Sequence, residues 1–353
     1  MEEQKDMISL LDMMTQPVFC VKDSIILRAN AAARQMLPEI GESILPLLGS
    51  HADAYSQFSG GCLYLTLTLS GQSVGACVRR MDEFDIFELD VEDDDTLRAM
   101  ALVASTLRKP LSGALSEAAS LLDSQEDPAL VQQLSQLNRN LYQLLRLLGN
   151  MSDAEAVSSH CRAETTDLSA LFREIMEKAQ VLFARSGLSL SYEDFSESVY
   201  GLADREQLER AVLNILSNAA KFTPKGGHID AALVRQGRTL RLSVQDSGSG
   251  IAQEVMSSLF RRHLRQPGIE DSRFGLGLGI HMIHAAARNH GGTLLITQGE
   301  NGGTRVVLTL AIRQKEGTSI SSPIFHVDYA GGFDHALVEL SDCLPADLFD
   351  GSF

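Results

Sequence analysis

The feature of this 353-residue sequence that most restricts its fold is an apolar run between positions 130 and 151. The spacing alternates between four and three residues throughout, and the run consists of Leu130, Leu134, Leu137, Leu141, Leu144, Leu148 and Met151. Such a heptad repeat predicts a helix with one apolar seam. Asp127 and Pro128 mark its start, as a capping acid followed by a proline in the first turn.

A second helix is predicted just before this one, starting near Thr96. Its apolar stripe consists of Leu107, Leu111, Ala114, Ala118 and Leu121, and Pro110 is expected to kink it. An isolated pair of helices would leave half of the seam in water, whereas two copies packed together would bury it. Residues 92–157 are therefore predicted to form an antiparallel helical hairpin and, in a homodimer, a four-helix bundle.

The composition narrows the possible partners. A formal net charge of −16 opposes binding to nucleic acid or to an anionic membrane surface. The five cysteines are scattered, with no zinc or redox spacing. Residues 54–78 are uncharged, but apolar and polar residues alternate there and glycines interrupt them, which predicts strands. We expect a cytoplasmic protein with no nucleic-acid partner and no membrane span.

Residues 1–91 combine short strands with a helical stretch. Strands are expected near 18–21, 25–27, 62–69, 74–80 and 83–91, with residues 22–24 as a hairpin-like turn. The run from Pro17 to Asp23, together with Ala29-Asn30-Ala31-Ala32, resembles a PAS sensory domain. The resemblance implies an α+β sensory or dimerisation domain. A plain α+β dimerisation module without a ligand is the alternative.

One helix face in the C-terminal half carries two amides and an ammonium group. Asn214, Asn218 and Lys221 are spaced by four and three residues, so they share one face of a helix. Such a face suits a hydrated magnesium ion and a phosphate, because magnesium keeps several waters and prefers oxygen ligands.

The next motif is a strand that ends in a glycine-rich turn. The strand delivers Asp246 into this turn, which contains Gly248 and Gly250. A buried carboxylate there can accept a hydrogen bond from the amino group of adenine. The glycines let the backbone pass close to the base.

Two further glycine motifs follow. The first runs into an apolar helix, where exposed backbone N–H groups form an anion site. Its glycines are Gly275, Gly277 and Gly279. The second is the turn His290-Gly291-Gly292-Thr293, which Gly302-Gly303-Thr304 echoes.

Taken in order, these motifs resemble the N, G1, F and G2 boxes of the histidine kinase ATPase domain, shared with DNA gyrase and heat-shock chaperones. The resemblance implies that residues 163–313 form a two-layer α/β sandwich that binds ATP, with residues 261–274 as its lid. It assigns Mg²⁺ to Asn214 and Asn218, phosphate to Lys221 and adenine to Asp246. The other nucleotide-binding residues that it implies are Thr304 and the glycines that shape the lid hinges, Gly248, Gly250, Gly275, Gly277 and Gly279.

The phosphoacceptor motif of that family is altered here. In the family, the first bundle helix carries His-Glu/Asp-Leu-Arg-x-Pro-Leu, whereas residues 105–111 read Ser-Thr-Leu-Arg-Lys-Pro-Leu. Ser105 therefore stands at the histidine position and Thr106 at the acidic one. A serine hydroxyl is a weak nucleophile without a base to activate it. No histidine lies between His51 and His160.

The resemblance implies a sensor histidine kinase-like signalling protein. Its family reaction is ATP-dependent phosphoryl transfer in a two-component phosphorelay, with a response regulator or another signalling protein as partner. Because of Ser105, three possibilities stay open: an ATP-binding protein that signals through partners, a serine kinase of the anti-sigma type, or a catalytically degenerate, nucleotide-gated dimeric scaffold.

Residues 314–353 form an acidic tail with seven acidic residues and one lysine. Its two apolar runs, 324–327 and 336–340, predict a short strand and a helix that dock at a position the sequence does not reveal. The whole chain is predicted to be a multidomain α+β protein.

Overall fold

The computed structural model describes residues 11, 14–81, 83–90, 94–159, 161–195, 197–250, 278–300, 302–314 and 330–351. The side chains of 94–98, 153–159 and 278 are not part of the description. The strands are β1 Val18–Lys22, β2 Ile25–Ala29, β3 Cys62–Leu69, β4 Gln72–Met81, β5 Phe84–Leu89, β6 Glu164–Asp167, β7 Ser189–Phe195, β8 Tyr200–Ala203, β9 His228–Gln236, β10 Thr239–Asp246, β11 Leu294–Gln298 and β12 Thr304–Ala311. The helices are α1 Ala31–Arg34, α2 Leu45–Leu48, α3 Ala52–Ser56, α4 Asp94–Asp123, α5 Pro128–Ser159, α6 Leu168–Arg185, α7 Arg205–Phe222, α8 Leu278–Asn289 and α9 His335–Leu340.

The N-terminal unit is an antiparallel sheet in the order β2-β1-β5-β4-β3, with α1, α2 and α3 between β2 and β3. The predicted strands and the predicted turn are confirmed. Asp23 and Ser24 have φ of 51° and 63°, so they form a two-residue type I′ hairpin loop, whose twist matches that of the strands. The core of this unit includes a stacked pair of rings, Phe19 and Phe87, with centroids 4.8 Å apart.

The predicted helical hairpin is formed by α4 and α5. Asp127 caps α5, because its Oδ1 accepts a hydrogen bond from the N–H of Ala129 at 3.0 Å. One face of α5 is buried and carries Leu145, Arg146 and Asn150. The apolar seam is only partly buried, because several of its leucines are exposed. The exposed seam leucines of α5 are Leu130, Leu137 and Leu144.

The C-terminal half contains a sheet in the order β11-β12-β10-β9-β7, in which β7 and β9 run parallel. Strand β10 alternates between buried and partly buried residues, and its buried Leu240, Leu242 and Val244 pack with residues of α6, α7 and α8 in one core. The helices therefore cover one face of the sheet, in agreement with the predicted two-layer arrangement. A small second sheet, β6-β8, lies beside it.

The two sheets are continuous, which the sequence did not predict. Strand β3 pairs antiparallel with β11, with Tyr64 opposite Leu294 and Cys62 opposite Ile296, so a single sheet of ten strands crosses both units. Each of these strands is the edge of its own half-sheet, and joining them satisfies backbone groups that would otherwise be exposed. The ring of Tyr64 packs on that of His284 in α8, with centroids 4.9 Å apart.

Residues 330–351, the described part of the tail, pack against the C-terminal core. The predicted helix is confirmed as α9, and Asp334 caps it by accepting from the N–H of Leu337 at 3.0 Å. A 3₁₀ turn, Ala346–Phe349, follows. The buried apolar side chains of this segment, each worth about 1.5–3 kcal/mol, join the same core as α6 and α7; they are Leu337, Leu340, Leu344, Leu348 and Phe349. The predicted strand at 324–327 lies outside the described residues.

Across the described ranges, no helix combines the length and apolar character that a membrane span requires.

Candidate functional site

The end of β10 forms the first part of the candidate nucleotide site. Asp246 is buried, and its Oδ1 accepts hydrogen bonds from the N–H of Gly248 at 2.8 Å and of Thr304 at 3.2 Å. Burial raises the pKa of Asp246 above its usual value, although these backbone donors favour the carboxylate. The structure thus brings together Asp246 and Thr304, two residues that the sequence assigned to the nucleotide.

Two glycines make this close approach of chain segments possible. A Cβ at Gly303 would lie 1.9 Å from the carbonyl oxygen of Asp246, and a Cβ at Gly248 would lie 2.3 Å from that of Phe222. Gly303 also has a φ of 71°, which favours glycine. The predicted role of Gly248, to let the backbone pass close to the base, stays a prediction.

The second part of the site is the polar face of α7. Asp204 caps this helix, accepting from the N–H of Gln207 at 3.1 Å. Asn214 is fully buried, Asn218 is half-buried, and Lys221 lies one turn further on. Both hydrogens of the Asn214 amide are used: its Nδ2 donates to the carbonyl of Arg210 at 2.9 Å and to Glu339 at 3.1 Å.

A guanidinium group from the hairpin reaches the same amide. Arg146 of α5 donates to Asn214 Oδ1 at 2.9 Å, to Glu339 at 3.2 Å and to Asp342 at 2.6 Å. Arg210 of α7 donates to the other oxygen of Glu339 at 3.0 Å. Glu339 has no exposed surface, so its charge is compensated entirely by these buried donors.

Lys221 is paired with the tail as well. Its Nζ lies 2.9 Å from Asp342 Oδ2, and the lysine side chain is only 13% exposed. Burial alone would raise the pKa of Asp342, but the charges of Arg146 and Lys221 outweigh it and hold that pKa below its usual value. The carboxylate therefore stays charged between two cations.

The remaining glycines fall into two groups. Gly279 is the second residue of α8, and its missing Cβ lets the helix approach α7, since a Cβ there would lie 3.0 Å from Asn214 Oδ1. Gly250 has a φ of 74° and lies beside Gly303. Gly275, Gly277 and the predicted lid, 261–274, lie outside the described residues.

His290, in the fourth motif, is a structural residue. Its Nε2 accepts from the N–H of Asp204 at 2.9 Å, and its Nδ1 lies 2.7 Å from the carbonyl of Ala286. This pairing requires the neutral ring with the proton on Nδ1. Burial lowers the pKa of His290, consistent with that neutral form.

Ser105 is exposed on α4. Its hydroxyl donates to the carbonyl of Leu102 at 2.8 Å, and the hydroxyl of Thr106 donates to that of Val103 at 2.8 Å. Both hydroxyl protons are therefore directed to the helix backbone, and Thr106 provides no base for Ser105.

Sequence reasoning missed the four charged residues that meet at Asn214 and Lys221, namely Arg146, Arg210, Glu339 and Asp342. It placed Glu339 in a predicted short helix and Asp342 in an acidic tail, and assigned no contact to either. The capping acid Asp334 before the apolar run was a local signal for the helix, but nothing in the sequence pointed to its location.

The site therefore has two ends with different chemistry. Asp246 and Thr304 suit the adenine of a nucleotide, with a buried carboxylate as hydrogen-bond acceptor. A magnesium ion at Asn214 does not fit this arrangement, because a guanidinium group already occupies its Oδ1. The half-buried Asn218 is the second predicted magnesium ligand.

Comparison with known proteins gives a family for this domain. The family model described as "Histidine kinase-, DNA gyrase B-, and HSP90-like ATPase" matches residues 203–314. The sensor histidine kinase TmoS of Ectopseudomonas mendocina is 28% identical over 230 residues, which make up 63% of this chain and 23% of TmoS. The adaptive-response sensory kinase SasA of Crocosphaera subtropica is 28% identical over 255 residues, covering 67% of this chain and 66% of SasA.

A solved structure supports the fold. Full-length ShkA in complex with AMPPNP resembles this chain with a TM-score of 0.50 and 20% identity, covering 62% of this chain and 47% of ShkA. The chain spans less than two thirds of the length of each of these three proteins.

The ordered motifs, the buried Asp246–Thr304 pair and these similarities agree. Residues 203–314 therefore belong to the histidine kinase-, DNA gyrase B- and HSP90-like ATPase family.

Proposed function

We propose that the protein binds ATP and acts in sensor-kinase-type signal transduction. The observation that carries this proposal is Asp246, a buried carboxylate held by the N–H groups of Gly248 and Thr304 at the end of β10. Adenine presents an amino donor to such an acceptor, and the tight glycine turns allow the base to approach the backbone.

The phosphate end of the proposed site is Lys221, with Asn218 on the same helix face. Magnesium enters no step of this proposal, because Asn214 is engaged by Arg146 in the observed arrangement. In the proposed nucleotide complex, Lys221 would contribute a point charge to the phosphates.

Histidine autophosphorylation on the hairpin is not part of the proposal. Ser105 takes the phosphoacceptor position, and its hydroxyl is bonded to the backbone rather than to a base. This favours, as second candidate, a nucleotide-gated scaffold that signals through a partner such as a response regulator. A serine kinase would instead require a base that Thr106 does not supply.

Intact-mass spectrometry after incubation with Mg²⁺ and ATP tests these candidates together. For the ATP-binding signalling protein we expect an unmodified chain that retains nucleotide under native conditions. A phosphate on Ser105 or Thr106 would establish the serine-kinase alternative. A chain that retains no nucleotide under any condition would contradict ATP binding itself.

We also propose that the protein is a homodimer through α4 and α5. The exposed leucines of the hairpin, which a second copy would cover, support this; they are Leu107, Leu121, Leu130, Leu137 and Leu144. Their positions follow the heptad pattern, as expected for the face of a helical hairpin that a second hairpin covers in a four-helix bundle.

Sedimentation of a Leu137→Glu variant tests the dimer. A buried unpaired charge would oppose association, so the variant should be monomeric at a concentration where the wild type is a dimer. Gln132→Glu, an exposed change on a different face of the same helix, is the matched control and should stay dimeric. A wild type that is monomeric at micromolar concentration would refute the proposal.

The N-terminal unit is proposed to be a PAS-like sensory or dimerisation domain. The five-stranded antiparallel sheet with helices between its second and third strands supports that resemblance. The cytoplasmic location stays a prediction.

A further inference from the structure

The tail segment, residues 330–351, lies on the polar face of α7 that the nucleotide site would use. Two of its carboxylates make the contacts. Glu339 accepts from Asn214 at 3.1 Å, and Asp342 pairs with Lys221 at 2.9 Å. Both partners are residues that the family resemblance assigns to magnesium or phosphate.

The chemistry of these contacts matches the chemistry of the ligand they would exclude. At Lys221, the carboxylate of Asp342 supplies an anionic oxygen, as a phosphate would. At Asn214, the guanidinium of Arg146 lies on Oδ1, where a cation would otherwise be held. The charges therefore reproduce a cation–anion pair with protein groups.

Buried apolar side chains and hydrogen bonds from α5 hold the tail segment against α7. Leu340 and Leu348 are buried in the core that α6 and α7 share, and Asn138 of α5 donates to the carbonyl of Phe349 at 2.9 Å. Arg139, also on α5, donates to the carbonyls of Ser341 and Asp342, each at 3.1 Å. The tail thus joins the hairpin to the ATPase domain.

The adenine end is not involved. Within the described part of the chain, the Asp246 side chain accepts hydrogen bonds from Gly248 and Thr304 rather than from the tail. The tail contacts therefore lie at the α7 end of the proposed site and do not involve Asp246.

We propose that the tail segment is autoinhibitory: Glu339 and Asp342 compete with the metal–phosphate end of a nucleotide, and full Mg-ATP binding requires the tail to leave α7. This rests on the proposed ATP-binding function. Since Arg146 belongs to α5, displacement of the tail also removes a connection between the ATPase domain and the hairpin. Nucleotide occupancy and hairpin position are coupled through this segment.

Calorimetry on the full chain tests the competition. Asp342→Asn removes one charge from the contact with Lys221 and Arg146 while keeping a similar shape. We expect Mg-ATP to bind this variant about tenfold more tightly or better, because hydrogen bonds between charged groups are weakened. Adenosine, which lacks phosphates, should bind the variant and the wild type equally. Asp347→Asn, an exposed change in the same tail, is the control and should leave both affinities unchanged.

Comparing adenosine with Mg-ATP distinguishes failure of the autoinhibition proposal from failure of the proposed ATP-binding function. If adenosine binds but Asp342→Asn leaves the Mg-ATP affinity unchanged, autoinhibition is wrong and the proposed function stands. If neither adenosine nor Mg-ATP binds wild type or variant, both proposals are wrong.

Hydrogen exchange on the wild-type chain gives a second measurement that requires no variant to fold. Adding Mg-ATP should accelerate amide exchange in residues 334–349, whereas adenosine should not. Unchanged or slower exchange in this segment with saturating Mg-ATP would overturn the proposal.

Discussion

Replacing Asp246 by Asn is the most direct test of the adenine end. The asparagine Oδ1 can still accept the two N–H donors, at 2.8 Å from Gly248 and 3.2 Å from Thr304, so the turn should keep its shape. The second carboxylate oxygen becomes an NH₂ group, which cannot accept a hydrogen bond from the adenine amino group. A hydrogen bond to a charged group is worth about 1.5–3 kcal/mol, which corresponds to a loss of affinity of about 10- to 150-fold.

The loss should be equal for adenosine and for Mg-ATP, because both carry the same amino group. Calorimetry with each ligand measures it. Asp230→Asn is the matched control: it removes one exposed carboxylate from β9 and should change neither affinity.

The melting temperature of the Asp246→Asn variant distinguishes loss of the adenine contact from unfolding of the protein. Burial raises the pKa of Asp246, so the folded state disfavours its charge at neutral pH. A neutral asparagine removes that cost, and the melting temperature should not fall. An Asp246→Asn variant that binds adenosine as tightly as the wild type would refute the assignment of this carboxylate to the base.

Three further predictions follow from the geometry. Incubation with radiolabelled ATP should leave no acid-labile, base-stable phosphate on the chain, because Ser105 and Thr106 replace the histidine and its acid; such a label would show a phosphoacceptor elsewhere. The free energy of unfolding should fall as pH drops below about 6.5, because the unfolded chain protonates His290 before the folded one does, and His290→Gln should lack this part of the slope in urea titrations at several pH values. Gly303→Ala should destabilise the protein more than Gly302→Ala: both have positive φ, which costs about 1–2 kcal/mol, but only at Gly303 would the new Cβ meet Asp246, at 1.9 Å. Equal urea midpoints for the two alanine variants would contradict this reasoning.

Local patterns were readable from the sequence. Alternation of apolar residues located β3, and the acid–proline start located α5, since both signals come from neighbouring residues. Asp246 and Thr304, 58 positions apart, were both assigned to the nucleotide only because each belongs to a short motif with a known resemblance, and their hydrogen bond was not predicted.

The contacts of the tail were not readable in the same way. Glu339 meets Arg146 and Arg210 across 193 and 129 positions, and no periodicity links such distant charges. Five of the six residues of α9 are buried, and so short an apolar helix can dock on many apolar surfaces, so its sequence does not specify the surface. The joining of β3 to β11 was hidden for a similar reason, because any open strand edge offers the same backbone groups.

The pairing of β3 with β11 also affects what happens when the ATPase domain is cut out of the chain. Without β3, the backbone N–H and C=O groups that the stretch Leu294–Ile296 directs to it lose their hydrogen-bond partners and become accessible to another molecule. The exposed strand is short, apolar and free of charge, features that favour strand addition between chains. A fragment beginning after the hairpin should therefore aggregate at concentrations where the intact protein remains dispersed, and a lysine at Leu295 should restore its solubility.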